Sequence, residues 1–208
     1  MTKADPVASE LEASSPTEAR DIGQKSEAHL PGDVAVWVFV LGDLIIFSSY
    51  FIIFMVDRNR DPDLFLQSQQ HLDLNIGVVN TLILLASSWC VARSVVAARN
   101  GEYQHAMMFT VAGGLCGVLF VLIKIYEWSS KISQGMTLPS NHFFMYYYML
   151  TGVHLFHVLL GLVILAVVLA ELRNPRLRRM KMVEIGATYW HMVDLLWIVV
   201  FALVYVVR

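Results

Sequence analysis

Five runs of apolar residues, each close to the ~20 residues that a helix needs to cross a bilayer, divide the chain: about 34–56, 74–98, 105–128, 144–170 and 185–207. Polar punctuation separates them. Pro31, Gly32 and Asp33 precede the first run, and Asp57, Arg58, Arg60, Asp61, Pro62 and Asp63 follow it. The stretch from Ser129 to His142, with Gly135 and Pro139, parts the third from the fourth. The pattern predicts an all-α integral membrane bundle of five transmembrane helices over residues 31–208. Residues 1–30 carry Asp5, Glu10, Glu12, Glu18, Asp21 and Glu27 without an apolar core of the kind a cleaved signal needs, and read as a disordered acidic N-terminal tail. No internal repeat and no pair of broken half-helices suggests a transporter's inverted halves.

Composition supports this division. The 208 residues are 57% hydrophobic and 15% charged, well below the roughly 25% charged typical of soluble domains. A net charge of −2 with no clustered basic face excludes a nucleic-acid footprint. With five spans the termini lie on opposite sides. Arg93, Arg99 and the run Arg173, Arg176, Arg178, Arg179 and Lys181 fall towards the N-terminal side, against Arg58, Arg60 and Lys131 on the other. The positive-inside rule then predicts a cytoplasmic N-terminus and an external C-terminus. Trp37, Trp128, Tyr146, Tyr147 and Tyr189 fall near span ends, where amphipathic rings favour the interface. Gly113, Gly114 and Gly117 give the third span a seam for close helix approach. Cys90 and Cys116 lie inside apolar runs and read as packing residues, not as a disulfide or metal ligands.

Ionisable groups at membrane depth are expensive unless paired or turned inward, so they mark the candidate chemistry. His191 and Asp194 are three apart and share a helix face. At ~1.5 Å per residue, Asp43 lies ~14 Å into the first span and His191 and Asp194 ~9–14 Å into the fifth, from the same side, with His154 and His157 near mid-depth. The five are expected within reach of one layer. Lys124 and Glu127, opposite in sign and three apart, are expected to pair. The residues leave three readings open: a metal site, a proton relay, or a polar cluster that fixes helix register. Seven histidines, four of them in tails, loops or span ends, argue against a membrane di-iron enzyme, and no Cys-x-x-Cys-His string offers haem attachment.

Five strings carry a resemblance: FVLGDLIIF (39–47), NTLILLASS (80–88), IYEW (125–128), LTGVHLFHVLLG (150–161) and YWHMVDLLW (189–197). In this order, over about residues 31–208, the chain resembles subunit III of the haem-copper respiratory oxidases, in a five-helix form. The resemblance implies a non-catalytic accessory subunit with no catalytic centre and no metal of its own. It implies haem and copper only in a partner catalytic subunit, bound structural phospholipid, support of proton uptake during oxygen or nitric oxide reduction, and a bacterial cytoplasmic (inner) membrane location. By position, Asp43 matches the family's buried carboxylate and Glu127 the carboxylate ending the next-but-one helix. His154 and His157 match the TGxHxxH pair, and His191 with Asp194 the YWHxxD pair. These six are the buried polar, proton-linked or lipid-contact candidates. Asp43 stands where mitochondrial-type members have Glu, and Leu155 where many have Gly. With the short chain and the Pro31–Asp33 opening, the departures lean towards the branch associated with nitric oxide reductase, beside the quinol-oxidase and cytochrome-oxidase branches. A freestanding proton-linked carrier and a metal-dependent membrane oxidoreductase are the competing classes.

Overall fold

The computed structural model describes residues 34–175 and 179–207. The acidic tail, the Pro31–Asp33 opening, Arg176 and Arg178 lie outside them. Six helices follow in order: α1 Val34–Arg60, α2 Pro62–Gln69, α3 Leu74–Arg99, α4 Tyr103–Ser133, α5 His142–Arg173 and α6 Met180–Phe201, which continues into a π-helical turn, Ala202–Val206. All but α2 are long and apolar enough to cross a membrane. This is the five-span, all-α architecture predicted from the apolar runs.

The helices overrun the predicted spans, chiefly at α4, which reaches Ser133, and α6, which begins at Met180, and α1 runs on to Arg60. A hydropathy pattern reports where lipid ends, whereas a helix ends where its backbone groups find other partners. Asp73 and Asn141 start α3 and α5, their side chains accepting from the backbone N–H of Asn75 and Phe144, each at 2.9 Å. Gly101 and Gly135, with φ of +79° and +82°, stop the chain just beyond α3 and α4. The polar stretch after α1 holds a helix of its own. Asp61 caps it, Pro62 opens it, and Gln69 at its end donates to the carbonyls of Val204 and Val207, both at 3.0 Å. That latch ties α2 to the π turn.

α6 is the axis of the bundle, with contacts to α1, α3 and α5. In its most apolar stretch 56% of residues are buried, against 17% in α1, whose outer face is left to lipid or a partner. The closest pair is α3 with α4, and the small-residue seam accounts for it. A Cβ on Gly113 would stand 2.9 Å from Val91 Cγ2 and 3.3 Å from the Ser87 carbonyl oxygen. Gly117 faces the indole of Trp190, as does Gly161 of α5, with hypothetical Cβ distances of 2.7 and 2.8 Å. Together they form a slot for that ring. Gly114 has open space around it and takes no part. Gly161→Val is expected to expel Trp190 from the slot and destabilise the bundle by about 1–3 kcal/mol, read as a lower melting midpoint in detergent. An unchanged midpoint would contradict the slot.

Three of the aromatic residues expected at the interface are in the core instead, Tyr146 among them, its hydroxyl donating to Asp57. Tyr147 and Tyr189 are buried, because each has a polar partner inside the bundle and an interfacial position is not needed to satisfy its hydroxyl.

Candidate functional site

The most enclosed charges are Lys124 and Glu127 of α4, both side chains 1% exposed, with Nζ 2.9 Å from Glu127 Oε2. The spacing predicted the pair, but the residues that complete it lie on other helices. Lys124 Nζ also donates to the hydroxyls of Tyr205 at 2.7 Å and Tyr147 at 3.3 Å. Tyr205 in turn donates to Glu127 Oε1 at 2.6 Å. An ammonium has three hydrogens to give, and all three have acceptors here. The same nitrogen lies over the rings of Tyr147, Trp197 and Tyr205 at 4.9–5.2 Å, a desolvated cation on aromatic faces. The π turn places Tyr205, and Gly77 of α3 lets its ring approach: a Cβ there would stand 3.0 Å from Tyr205 Cδ1.

Asp43 of α1 meets His157 of α5, Oδ2 to Nε2, at 3.4 Å. The separation is that of an ion pair, although Oδ2 does not close a hydrogen bond. His157 Nδ1 lies 2.8 Å from the Val153 carbonyl. A carbonyl only accepts, so Nδ1 carries the proton and Nε2 faces Asp43. Phe47 packs edge-on to the ring at 5.5 Å. This pair joins α1 to the rest of the bundle at depth.

His154, one turn earlier on α5, is separate. It is fully buried between Phe120 at 5.7 Å and Trp197 at 5.1 Å. Neither ring nitrogen has a hydrogen-bond partner among the described residues. His191 and Asp194 do not bond to each other. His191 Nδ1 lies 2.7 Å from Ser88 Oγ of α3. Asp194 is 4% exposed, and neither of its carboxyl oxygens has a hydrogen-bond partner among the described residues.

The five mid-depth residues thus divide into a carboxylate–imidazole pair, an aromatic-boxed histidine, a histidine bonded to serine and a buried carboxyl without a hydrogen-bond partner. Among the described residues no group of three or more His, Cys, Asp or Glu is placed to hold a metal ion. Sequence reasoning missed Tyr205, Tyr147, Ser88 and the buried, unpartnered Asn80. Asn80 and Ser88 bracket the string NTLILLASS, where polar residues in an apolar run were the available signal. Tyr205 carried none, being one aromatic among many at the end of the last span.

Bundled spans with ionisable groups drawn inward and joined across helices define an integral membrane helical protein whose polar side chains hold helices together. The sequence pattern of cytochrome c oxidase subunit III matches residues 18–207. The chain belongs to that family. It is similar to quinol oxidase subunit 3 of Bacillus subtilis, 28% identical over 171 residues, covering 81% of this chain and 83% of that protein. Cytochrome c oxidase subunit 3 of Synechocystis is 31% identical over 174 residues, 82% of this chain and 73% of that one. The heme-copper oxidase subunit I+III of Aeropyrum pernix is 28% identical over 182 residues; the match takes 83% of this chain and 22% of that longer protein.

Proposed function

We propose that the chain is the non-catalytic accessory subunit of a bacterial haem-copper respiratory complex. It docks beside the catalytic subunit, holds structural phospholipid and supports proton uptake, while haem and copper reside in the partner. It lies in the cytoplasmic membrane, N-terminus inside and C-terminus on the periplasmic or extracellular side. The observation that carries this reading is the family match over residues 18–207. It is strengthened by a relative whose name joins subunits I and III in one polypeptide. The exposed apolar face of α1, with Ile45, Ile46, Ile52 and Ile53, supports docking or lipid contact. Asp43, Glu127, His154, His157, His191 and Asp194 act as the polar ties and proton-linked groups of this subunit.

The relatives above are oxidase subunits, so an oxygen-reducing partner leads. Asp43 and Leu155 favour a nitric oxide reductase as the second reading. Deleting the gene is expected to lower sustained oxygen consumption by membranes, with restoration by the intact chain. Loss of nitric oxide consumption alone selects the second reading, and no change in either gas contradicts both.

Within this role Asp43 is expected to tolerate Asn, which keeps a polar partner for His157 Nε2. Asp43→Leu strands the imidazole and costs about 1–3 kcal/mol, read as lower melting and poorer assembly. If Asp43 also handles protons, Asn assembles normally but sustains less turnover. Full assembly and turnover with Leu would exclude both roles.

A further inference from the structure

On α6, Tyr189 turns its ring to Phe39 of α1, at 6.2 Å, and His191 turns to Ser88 of α3, at 2.7 Å. Between those two directions around the helix run Thr188, Leu195 and Val199, and none of the three is buried. Met192, nearer the α1 side, is already covered. α1 and α3 both pack on α6 but not closely on each other. The open stripe of the axis helix is therefore the floor of a furrow between α1 and α3. Towards the Arg99–Glu184 ion pair the furrow deepens into a pocket of about 250 Å³ against α3, with Ala92, Ala187, Thr188 and His191 in its lining. Leu85, two turns from Ala92 and 46% exposed, carries the α3 wall onward. We infer that this furrow seats a transmembrane helix of a larger subunit, laid along α6, with a hydrogen-bonding group opposite His191 Nε2.

Whatever fills the furrow meets a polar group at lipid depth. At ~1.5 Å per residue, His191 stands ~9 Å beyond the start of the apolar run at Ile185. Of its two ring nitrogens only Nδ1 has a hydrogen-bond partner among the described residues. An acyl chain offers Nε2 nothing and a lipid head group stays at the surface, whereas a side chain or a freed carbonyl on a neighbouring helix reaches it. Ala92, Ala187 and Thr188 keep the floor low, and small residues of this kind are where transmembrane helices approach closely. The outer face of α1 contrasts with this. Ile45, Ile46, Ile52 and Ile53 are exposed there, and Ser49 among them returns its hydroxyl to the Ile45 carbonyl at 2.9 Å. Hydrocarbon suffices for that face. The identity of the seated helix, as one from a haem-copper catalytic subunit, rests on the accessory-subunit reading; the furrow does not.

The test places a benzophenone-bearing phenylalanine at Leu195 or Leu85 of the full chain, with Ile46 of α1 as reference; all three positions are exposed, so the fold tolerates the change. Native membranes are irradiated and the chain is isolated in mild detergent. Leu195 and Leu85 should cross-link to a haem-bearing membrane subunit, and Ile46 to lipid. Ala92→Trp, which fills the pocket from its exposed wall, should leave the melting midpoint of the chain alone unchanged. It should lower recovery of the partner about tenfold, the order expected from overpacking a close contact. Cross-links to the partner from Ile46 alone overturn the seat and leave the accessory-subunit reading standing. Cross-links from the furrow only to lipid or to a second copy of this chain also overturn it, as do silence at both furrow positions and full partner recovery with Ala92→Trp. Furrow cross-links to a larger membrane subunit that carries no haem uphold the seat and overturn the accessory-subunit reading instead.

Discussion

Lys124→Met should be among the most damaging single substitutions in the chain, lowering stability by about 3–5 kcal/mol, the usual cost of removing one member of a buried ion pair. Methionine fills much of the volume, so the loss is electrostatic. Glu127 then has no counter-ion at 1% exposure, and the hydroxyls of Tyr147 and Tyr205 lose their common donor. Tyr205 still donates to Glu127, but one neutral hydrogen bond does not replace an ammonium. The double replacement Lys124→Met with Glu127→Leu should be milder than either single change, since no charge is left behind. A double-mutant cycle in detergent melts checks this. Additive losses would show that the two groups do not act as a pair.

Trp190→Ala is expected to cost a similar amount, about 3–5 kcal/mol, through a different cause. Its indole is 1% exposed and occupies the slot made by Gly117 and Gly161, with Nε1 donating to Ser87 Oγ at 3.0 Å. Ser87 also donates to the Gly113 carbonyl at 2.8 Å. Removing the ring therefore opens a cavity between α4, α5 and α6 and takes a donor from the hydroxyl that ties α3 to α4. Phe at this position should recover most of the packing but not the hydrogen bond. Equal losses for Phe and Ala would assign the stability to the hydrogen bond and not to the slot.

The five spans were legible because hydropathy at membrane depth is a strong constraint, and the Lys124–Glu127 pair because both residues lie on one helix at a fixed spacing. Gly113 and Gly117 were legible as a seam for the same reason. Partners across helices were not. That Asp43 meets His157, and that His191 turns to Ser88 and not to Asp194, depends on helix rotation and tilt, which packing sets and periodicity does not reveal. Tyr205 reaches Glu127 only through a π turn at the end of α6, and nothing in ALVYV announces one. Helix ends were missed for a related reason: Asp57 to Arg60 read as loop by polarity, yet they continue α1, where Tyr146 donates to Asp57 at 2.5 Å and Arg60 pairs with the same carboxylate.

The accessory-subunit reading is tested most directly by tagging this chain at its native locus, isolating it in mild detergent, and measuring the optical spectrum and the iron and copper content beside the chain expressed alone. The expected result is a haem spectrum and copper in the native isolate, carried by a larger co-purifying membrane subunit, with neither metal bound stoichiometrically by the chain alone. Recovery of the chain without such a partner would contradict it, as would one tightly bound metal equivalent in the isolated chain that is lost in both His154→Ala and His191→Ala.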